Sequence, residues 1–199
     1  MKLYLATISD VLPHHLSLLP EDRQSKAMRY KFPDDQKRCI AGGLLMRTVS
    51  GGAPIRDNGF GKPICEGFHF NLSHSGEYVA LAVGEEETGC DLEQHRFTRY
   101  EKMGKHVFSE NERRLLGEAS DKAGVFYELW TKKEALLKCM GKGFHREART
   151  VDVSGDIFRE DGRSYYLRTK RFADYTLSLC CEAPFDYEIV FIDLDLITN

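Results

Sequence analysis

The sequence lacks several features that would place the protein in a specialised class. Its six cysteines form no C-x-x-C pair and no spacing typical of a zinc site or a disulfide framework. Basic residues are not in excess, since 28 Lys and Arg stand against 31 Asp and Glu, which excludes a general nucleic-acid coat. No apolar run reaches membrane-spanning length, and the apolar stretch within Met1 to Asp10 is too short for the apolar region of a signal peptide. We therefore expect a cytoplasmic protein with buried cysteines and with neither nucleic acid nor membrane as a partner.

The chain has enough apolar residues for an ordinary folded core, because 42% of its 199 residues are hydrophobic and 11% are aromatic. No Pro-rich or Ser-rich linker separates two domains. The order of strands and helices predicts an α+β fold. Periodicity and capping signals predict strands at 2–8, 68–72, 78–83, 89–93, 151–158, 165–170, 175–181 and 187–192, and helices at 21–30, 33–51, from a Ser109 cap, and at 122–140.

Two expectations concern how these strands are connected. The tight connection from Gly84 to Glu87 predicts that the strands at 78–83 and 89–93 form a hairpin. The segments 78–83 and 175–180 are alike, which hints at two related halves meeting near Phe97.

Paired acidic residues form the first candidate site. Asp91-Leu-Glu93 lies at the end of a predicted strand, where alternation puts both carboxylates on one face. Two such oxygen donors can share one divalent cation with waters and a phosphate. The pattern alone is weak, because about one D-x-E is expected by chance in so acidic a chain, and a second copy occurs at Asp186-Tyr-Glu188.

The long helix supplies two further charged residues. Trp130-Thr-Lys-Lys-Glu-Ala135 is followed by Lys138, so Glu134 and Lys138 are four residues apart and face the same way. On an arbitrary helix they would form an exposed ion pair contributing about 0.3–0.5 kcal/mol. If the helix packs beside the acidic strand, Glu134 becomes a third carboxylate and Lys138 balances the charge of a bound phosphate.

Other segments are candidates for contacts with an anionic ligand. Asn71-Leu-Ser-His-Ser75 follows a strand and precedes Gly76, which predicts a turn that presents hydroxyls and an imidazole, although a lone histidine is usually structural. The loop Gly61-Lys-Pro63 could border a flat aromatic ligand. A basic run is usually a solvated face, but it also suits a multiply phosphorylated ligand. The basic run here contains Arg23, Lys26, Arg29, Lys31, Lys37, Arg38 and Arg47.

Ser109-Glu-Asn-Glu112 has the form of a capping box, which favours a structural over a functional role for Glu112.

In this order, the segments resemble the Sfp-type 4′-phosphopantetheinyl transferases. The resemblance covers most of residues 20–145, and the C-terminal third is similar only in its β-rich character. Each motif is weak alone, but the joint order and spacing are specific. Cys90 and Arg23 depart from the commoner pattern without removing a charge. The motifs are Gly61-Lys-Pro63, Phe70-Asn-Leu-Ser-His-Ser75, Gly89-Cys-Asp-Leu-Glu93, Phe108-Ser109 with Glu112, Trp130 to Ala135 with Lys138, and Gly141-Lys-Gly143.

The resemblance implies a pseudo-twofold monomer of two similar α+β halves, residues 1–96 and 97–199, with coenzyme A in an active site between them. It also implies that Asp91, Glu93 and Glu134 hold Mg²⁺ against the coenzyme A pyrophosphate. Lys138 would neutralise charge there, with Lys133 as a helper.

The same resemblance implies how the rest of coenzyme A and a protein partner are bound. The segment 96–116 would meet an acyl or peptidyl carrier protein. The 3′-phosphate would be held by Arg23, Lys26, Arg38 and His74, and the adenine end would be bordered by Lys62, Pro63 and Ser73.

The implied reaction transfers 4′-phosphopantetheine from coenzyme A to a serine of an apo carrier protein and releases 3′,5′-ADP. Asp91, Glu134 and Lys138 would be its catalytic residues, with Glu134 as the base, acting directly or through a metal-bound water. Two other interpretations are a non-catalytic coenzyme A sensor and a Mg²⁺-dependent phosphodiesterase or nuclease that uses water as the acceptor.

Overall fold

A computed structural model describes residues 1–57, 59, 62–141 and 148–197 of the chain. Gly61, Lys142 and Gly143, which belong to the family motifs, lie outside the described residues. Within the described residues, no helix combines the length and the apolar composition needed to cross a membrane. The α-helices in this part are α1 (Glu21–Met28), α2 (Pro33–Ser50), α3 (Tyr100–Val107), α4 (Glu110–Glu118) and α5 (Lys122–Cys139). Its strands are β1 (Lys2–Thr7), β2 (Ile55–Asp57), β3 (Pro63–Cys65), β4 (His69–Ser75), β5 (Tyr78–Gly84), β6 (Thr88–Gln94), β7 (Ile157–Glu160), β8 (Arg163–Phe172), β9 (Tyr175–Cys181) and β10 (Glu188–Phe191).

Local signals set the ends of the two longest helices, as the sequence predicts. α2 has Pro33 in its first turn, and Gly51 ends it with a left-handed φ of 58°. The Asp121 side chain caps α5 by accepting a hydrogen bond from the Gly124 amide at 2.8 Å. α5 ends before Gly141, whose φ is 68°.

The described residues form two four-stranded sheets, each packed against one long helix. The first sheet has the order β10-β1-β5-β4 and the second the order β6-β9-β8-β7, while β2 and β3 form a separate pair. One apolar core joins α2 to the first sheet, and another joins α5 to the second. A third core, which contains Leu5, Ala80, Leu92 and Leu177, lies between the sheets. The predicted α+β fold is confirmed.

The predicted hairpin of β5 and β6 is wrong. β5 lies in the middle of the first sheet, with β1 on one side and β4 on the other, so both of its edges are occupied. β6 therefore pairs with β9 in the second sheet, and the Gly84 to Glu87 connection passes from one sheet to the other. The hairpin in this region is formed by β4 and β5, which turn at Gly76.

Other differences arise where tertiary contacts select the structure. The sequence did not predict α3, and the strand expected from residue 151 begins only at Ile157. β10 returns to the first sheet and runs parallel to β1. Strand pairing thus changes from the first sheet to the second at β6 and back at β10, whereas the division of the chain after residue 96 stays a prediction.

Gly89 allows α5 to approach β6 closely. A Cβ atom at residue 89 would overlap the Ala135 carbonyl oxygen and would lie 2.7 Å from the Cys139 backbone nitrogen. Both atoms belong to the helix backbone, so they cannot yield unless α5 moves. The absence of a side chain at Gly89 therefore brings the acidic end of β6 against the middle of α5.

We predict that Gly89→Ala lowers the free energy of unfolding by about 2–3 kcal/mol because it forces α5 from β6. Urea unfolding followed by circular dichroism measures this change. Gly117→Ala in α4 is the matched control, because its Cβ would meet nothing within 4 Å. The control should be stabilised by up to about 1 kcal/mol, since alanine is the better helix former. Wild-type stability of Gly89→Ala would contradict the close approach.

Candidate active site

β6 presents alternate side chains to opposite sides. Cys90 and Leu92 are buried in the core between the sheets. Asp91 and Glu93 point the other way, toward α5, as the predicted alternation requires. The strand therefore buries its apolar side chains and leaves its carboxylates for contacts with the helix.

Lys138 of α5 binds directly to Asp91 of β6. Its Nζ lies 2.7 Å from Asp91 Oδ1 and donates further hydrogen bonds to the Cys90 carbonyl at 3.1 Å and to Ser73 Oγ at 3.3 Å. Burial disfavours the charge on Lys138, but the Asp91 carboxylate outweighs burial and raises the pKa of Lys138. The Lys138 ammonium is thus bound by groups of β4 and β6, and it does not form a simple exposed ion pair within α5.

Glu134 completes a cluster with Asp91, Glu93 and Lys138, which we call the carboxylate–lysine cluster. Burial, followed by repulsion from Asp91, raises the pKa of Glu134 from 4.5 to about 7. Burial and Asp91 also raise the pKa of Glu93, and the Ser75 hydroxyl opposes that shift. Three carboxylates therefore share one ammonium group in a half-buried place, where a further cation would be favourable.

The cluster fits a hard divalent cation in its chemistry but not as a preformed cage. Within the described residues, no group of three or more His, Cys, Asp or Glu side chains is already spaced as metal ligands. However, Asp91 Oδ2 is buried and has no hydrogen-bond partner in this part of the chain. Asp91 Oδ2 and the two further carboxylates are oxygen donors of the kind that hard divalent cations prefer.

The segment from Asn71 to Ser75 is part of a strand, so the predicted turn is wrong. β4 continues through Ser75, and its side chains at 71, 73 and 75 face β6. Asn71 Oδ1 accepts a hydrogen bond from the Cys90 amide at 2.9 Å. Ser73 Oγ and Ser75 Oγ accept from the Leu92 and Gln94 amides, each at 3.1 Å. Those acceptors keep the segment extended, and we call this contact the side-chain seam.

The opposite face of β4 borders a cavity of about 760 Å³. Leu72 and His74 line it from the strand, and α1 and α2 contribute most of its charge. We call it the cationic cavity, because the described residues of its lining include one carboxylate, Asp22, and six cationic side chains. Those side chains are Arg23, Lys26, Arg29, Arg38, Arg47 and Arg56.

The structure places all four predicted 3′-phosphate contacts, and one of the three predicted adenine-end contacts, around the same cavity. Arg23, Lys26, Arg38, His74 and Pro63 all line the cationic cavity. Two predicted contacts are not among the described residues that line it. Lys62 bonds to Glu87 Oε2 at 2.6 Å, and Ser73 faces the carboxylate–lysine cluster.

Sequence analysis missed Arg56 as a cavity residue. It lies on β2, and no local motif indicates that this short strand folds over the basic run.

Polar groups in the cationic cavity are only partly paired. Arg23 Nε is buried and has no hydrogen-bond partner within the described part of the chain. Arg38 is held by Asp35 at 2.6 Å and by the Gly76 carbonyl at 2.7 Å. Burial, followed by the charge of Arg38, lowers the pKa of His74. The cavity therefore has donors and positive charge to offer to an anionic ligand.

Lys133, expected as a helper at the phosphate, instead forms a buried ion pair. Its Nζ lies 2.8 Å from Glu112 Oε2, and both side chains are almost fully buried. Burial lowers the pKa of Lys133, and the Glu112 carboxylate opposes that shift. Lys133 Nζ also donates to the Ala148 and Val151 carbonyls. All three N–H donors of this ammonium are thus used, and they connect α5 to α4 and to the segment 148–151.

The structural role predicted for Glu112 is confirmed. The capping box with Ser109 is present: the Ser109 amide donates to Glu112 Oε2 at 2.7 Å, and the Glu112 amide donates to Ser109 Oγ at 3.2 Å. Glu112 Oε1 accepts a further bond from the Val153 amide at 2.7 Å.

The second D-x-E copy lies elsewhere. Glu188 opens β10 at the edge of the first sheet and is exposed, and the Asp186 carbonyl accepts a hydrogen bond from the N-terminal amine of Met1.

The fold and site define a two-sheet α+β protein with a cavity suited to an anionic ligand. Two family models match consecutive parts of the chain. One is described as the N-terminal part of 4′-phosphopantetheinyl transferases and matches residues 7–86, and the other as the 4′-phosphopantetheinyl transferase superfamily and matches residues 87–190. The chain belongs to the 4′-phosphopantetheinyl transferase superfamily.

Individual relatives agree with this assignment. The 4′-phosphopantetheinyl transferase gsp of Aneurinibacillus migulanus is 33% identical over 65% of this chain and 59% of its own length. Sfp of Bacillus subtilis is 29% identical over 85% of this chain and 84% of its own length. HetI of a Nostoc species is 35% identical over 63% and 60%. The chain thus spans about three-fifths of the length of some curated relatives and most of others.

Among solved structures, the holo-acyl-carrier-protein synthase of Thermotoga maritima is 16% identical, with a TM-score of 0.38 over 47% of this chain and 61% of that chain. This likeness is too distant to carry a conclusion.

We predict that Glu112→Gln lowers the free energy of unfolding by about 3–5 kcal/mol, because it leaves the Lys133 charge buried without a counter-charge. Urea unfolding gives this value. Glu182→Gln is the control, since its partner Arg163 is 66% exposed, and it should cost less than about 1 kcal/mol. Equal small losses in the two variants would contradict a structural role for the buried pair.

Proposed function

We propose that this chain transfers the 4′-phosphopantetheine group of coenzyme A to a serine of an apo acyl or peptidyl carrier protein, with Mg²⁺, and releases 3′,5′-ADP. One observation carries the proposal: adjacent residues of β4 serve two different sites. His74 lines the cationic cavity, while Ser73 bonds to Asp91 of the carboxylate–lysine cluster. Coenzyme A has a terminal 3′-phosphate and a diphosphate a few bonds away, so one molecule suits both sites.

In this proposal, Asp91, Glu93 and Glu134 hold Mg²⁺. The unpartnered Asp91 Oδ2 and the raised pKa of Glu134 both favour an added cation. When bound, Mg²⁺ would supply electrostatic stabilisation to the oxygens of the diphosphate.

Glu134 is proposed as the base for the carrier serine. Its pKa of about 7 is close to the pH at which a base both accepts a proton and is available to do so. As the serine proton moves to a Glu134 oxygen, the serine Oγ forms a bond to the β-phosphorus of coenzyme A. The bond from that phosphorus to the bridging oxygen breaks, and the oxygen leaves as part of 3′,5′-ADP.

Lys138 is proposed to stabilise the charge that develops during transfer. Its ammonium is fixed by Asp91 and the Cys90 carbonyl, so it need not reorganise when the phosphoryl oxygens and the leaving group become more negative.

The rest of coenzyme A is assigned to the cationic cavity. Arg23, Lys26, Arg38 and His74 are proposed to hold the 3′-phosphate, which the unpartnered Arg23 Nε would suit. The adenine end is proposed to lie near Lys62, Pro63 and Ser73, of which only Pro63 lines the cavity.

A carrier protein is proposed to approach along residues 96–116. This segment carries an apolar side chain, Phe97, that is 95% exposed, beside the basic residues Arg99, Lys102 and Lys105. The proposal also includes a monomer and a cytoplasmic location, which fits the six free thiols.

We predict that Glu134→Gln and Asp91→Asn each reduce transfer at least about a hundredfold while the fold is retained. The assay mixes the chain with Mg²⁺, coenzyme A and several apo carrier proteins, and mass spectrometry detects the gain of one phosphopantetheine. Glu128→Gln is the control on the same helix, because Glu128 pairs with Lys132 and Arg171 away from the cluster. It should keep near-wild-type transfer.

Three outcomes of that assay would sink the proposal. Wild-type turnover of both cluster variants would falsify the carboxylate assignment. Release of 3′,5′-ADP without any carrier protein would indicate a phosphodiesterase. Binding of coenzyme A without modification of any carrier would indicate a sensor.

We predict that Arg23→Ala combined with Lys26→Ala raises KM for coenzyme A by about tenfold or more, because charged hydrogen bonds to the 3′-phosphate are lost. The same variant should discriminate less between coenzyme A and 3′-dephospho-coenzyme A. Lys31→Ala with Lys37→Ala is the control, since both lysines belong to the basic run but do not line the cationic cavity. An unchanged preference in the first variant would make the basic run only a solvated face.

A further inference from the structure

We propose that Ser73 and Ser75 are positioning residues that each fix one oxygen of a β6 carboxylate and leave its other oxygen for a cation. This inference rests on the cation assignment of the proposed function. Ser73 Oγ lies 3.1 Å from Asp91 Oδ1, and Ser75 Oγ lies 2.9 Å from Glu93 Oε2.

The direction of both hydrogen bonds follows from the inventory of a hydroxyl group, which has one proton and two lone pairs. Ser73 Oγ accepts from the Leu92 amide and from Lys138 Nζ, which are donors only. Its single proton therefore goes to Asp91. Ser75 Oγ accepts from the Gln94 amide in the same way, so its proton goes to Glu93.

The spacing of these contacts is regular. The side-chain seam joins residue 71 to 90, 73 to 92 and 75 to 94, a constant separation of 19 positions. The carboxylates bound by the two serines lie one residue earlier on β6, at a separation of 18. Each serine hydroxyl thus bonds both to a backbone amide of β6 and to the neighbouring carboxylate. These two bonds fix the side-chain torsion of that carboxylate relative to its strand.

The two carboxylate oxygens of Asp91 differ in their hydrogen-bond partners. Oδ1 receives both Ser73 and Lys138, whereas Oδ2 is buried and has no partner among the described residues. One oxygen is therefore saturated by protein donors and the other is held ready for a ligand. Orientation of a ligating carboxylate by a hydrogen bond from a neighbouring group is a general means of raising metal affinity.

The single tryptophan of the chain gives a direct readout of this site. Trp130 lies on α5 one turn before Glu134, on the same face of the helix, so its excited state can sensitise the luminescence of Tb³⁺ bound at the cluster. Titration of the full chain with Tb³⁺, under selective excitation of tryptophan, reports cation affinity without any turnover. Competition with Mg²⁺ then gives the affinity for the physiological class of ion.

We predict that Ser75→Ala and Ser73→Ala each weaken Tb³⁺ and Mg²⁺ affinity about tenfold or more. Ser75→Cys, which keeps the shape but has only a weak donor, should behave like Ser75→Ala, and Ser75→Thr, which keeps the hydroxyl, should restore binding. In the transfer assay, Ser75→Ala should need about tenfold more Mg²⁺ for half-maximal rate and recover most of kcat at saturation.

Ser178→Ala is the matched control. Ser178 lies opposite Asp91 in the second sheet, but its hydroxyl bonds to Thr131 and Thr169 at 2.8 Å and to no carboxylate of the described residues. It should leave cation affinity within about twofold of wild type. Unchanged affinity in both serine variants, or an equal loss in Ser178→Ala, would overturn the positioning role. Absence of sensitised luminescence from the wild-type chain would instead overturn the cation assignment itself.

Discussion

The side-chain seam between β4 and β6 is the contact on which the rest of this structure depends. Two sheets meet there, and the amides of β6 on that edge are satisfied by one side-chain carbonyl and two hydroxyls in place of a neighbouring strand's carbonyls. A buried amide without an acceptor would be costly, so the polar side chains at 71, 73 and 75 stabilise the contact between the sheets. The hydroxyls of Ser73 and Ser75 also bond to Asp91 and Glu93. The contact between the sheets and the orientation of these two acids therefore depend on the same two side chains.

Two lysines on α5 contrast a closed, buried ion pair with a half-buried cluster that holds more carboxylates than cations. Lys133 meets a single carboxylate whose remaining lone pairs are filled by backbone amides, and the pair is closed to solvent. Lys138 meets Asp91 while Glu93 and Glu134 remain uncompensated nearby. The first pair has no capacity for a ligand. The second has more carboxylates than cations, and burial, followed by repulsion from Asp91, raises the pKa of Glu134 to about 7.

Successive side chains of β4 point to opposite sides, so the segment 70–75 contributes to two different sites. Phe70 and Leu72 face α2 and its core, and His74 follows them into the cationic cavity. The side chains at 71, 73 and 75 face β6. A turn could not separate the two sets so cleanly, because only a strand sends successive side chains to opposite sides. The strand therefore places the cationic cavity and the carboxylate–lysine cluster a single residue apart.

The sequence by itself determined the α+β class, the ends of α2 and α5, the capping box at Ser109 and the residue types of the cluster. These follow from local spacing, from Pro33, Gly51 and Gly141, and from period-two and helical patterns that act over a few residues. Only the tertiary structure determined that β6 pairs with β9 and that β10 pairs with β1. It also determined that Lys133 pairs with Glu112 and Lys138 with Asp91, and that Arg56 lines the cationic cavity. Partner choice depends on which strand edges are free and which faces are buried, and these are properties of the assembled sheets that no local pattern contains.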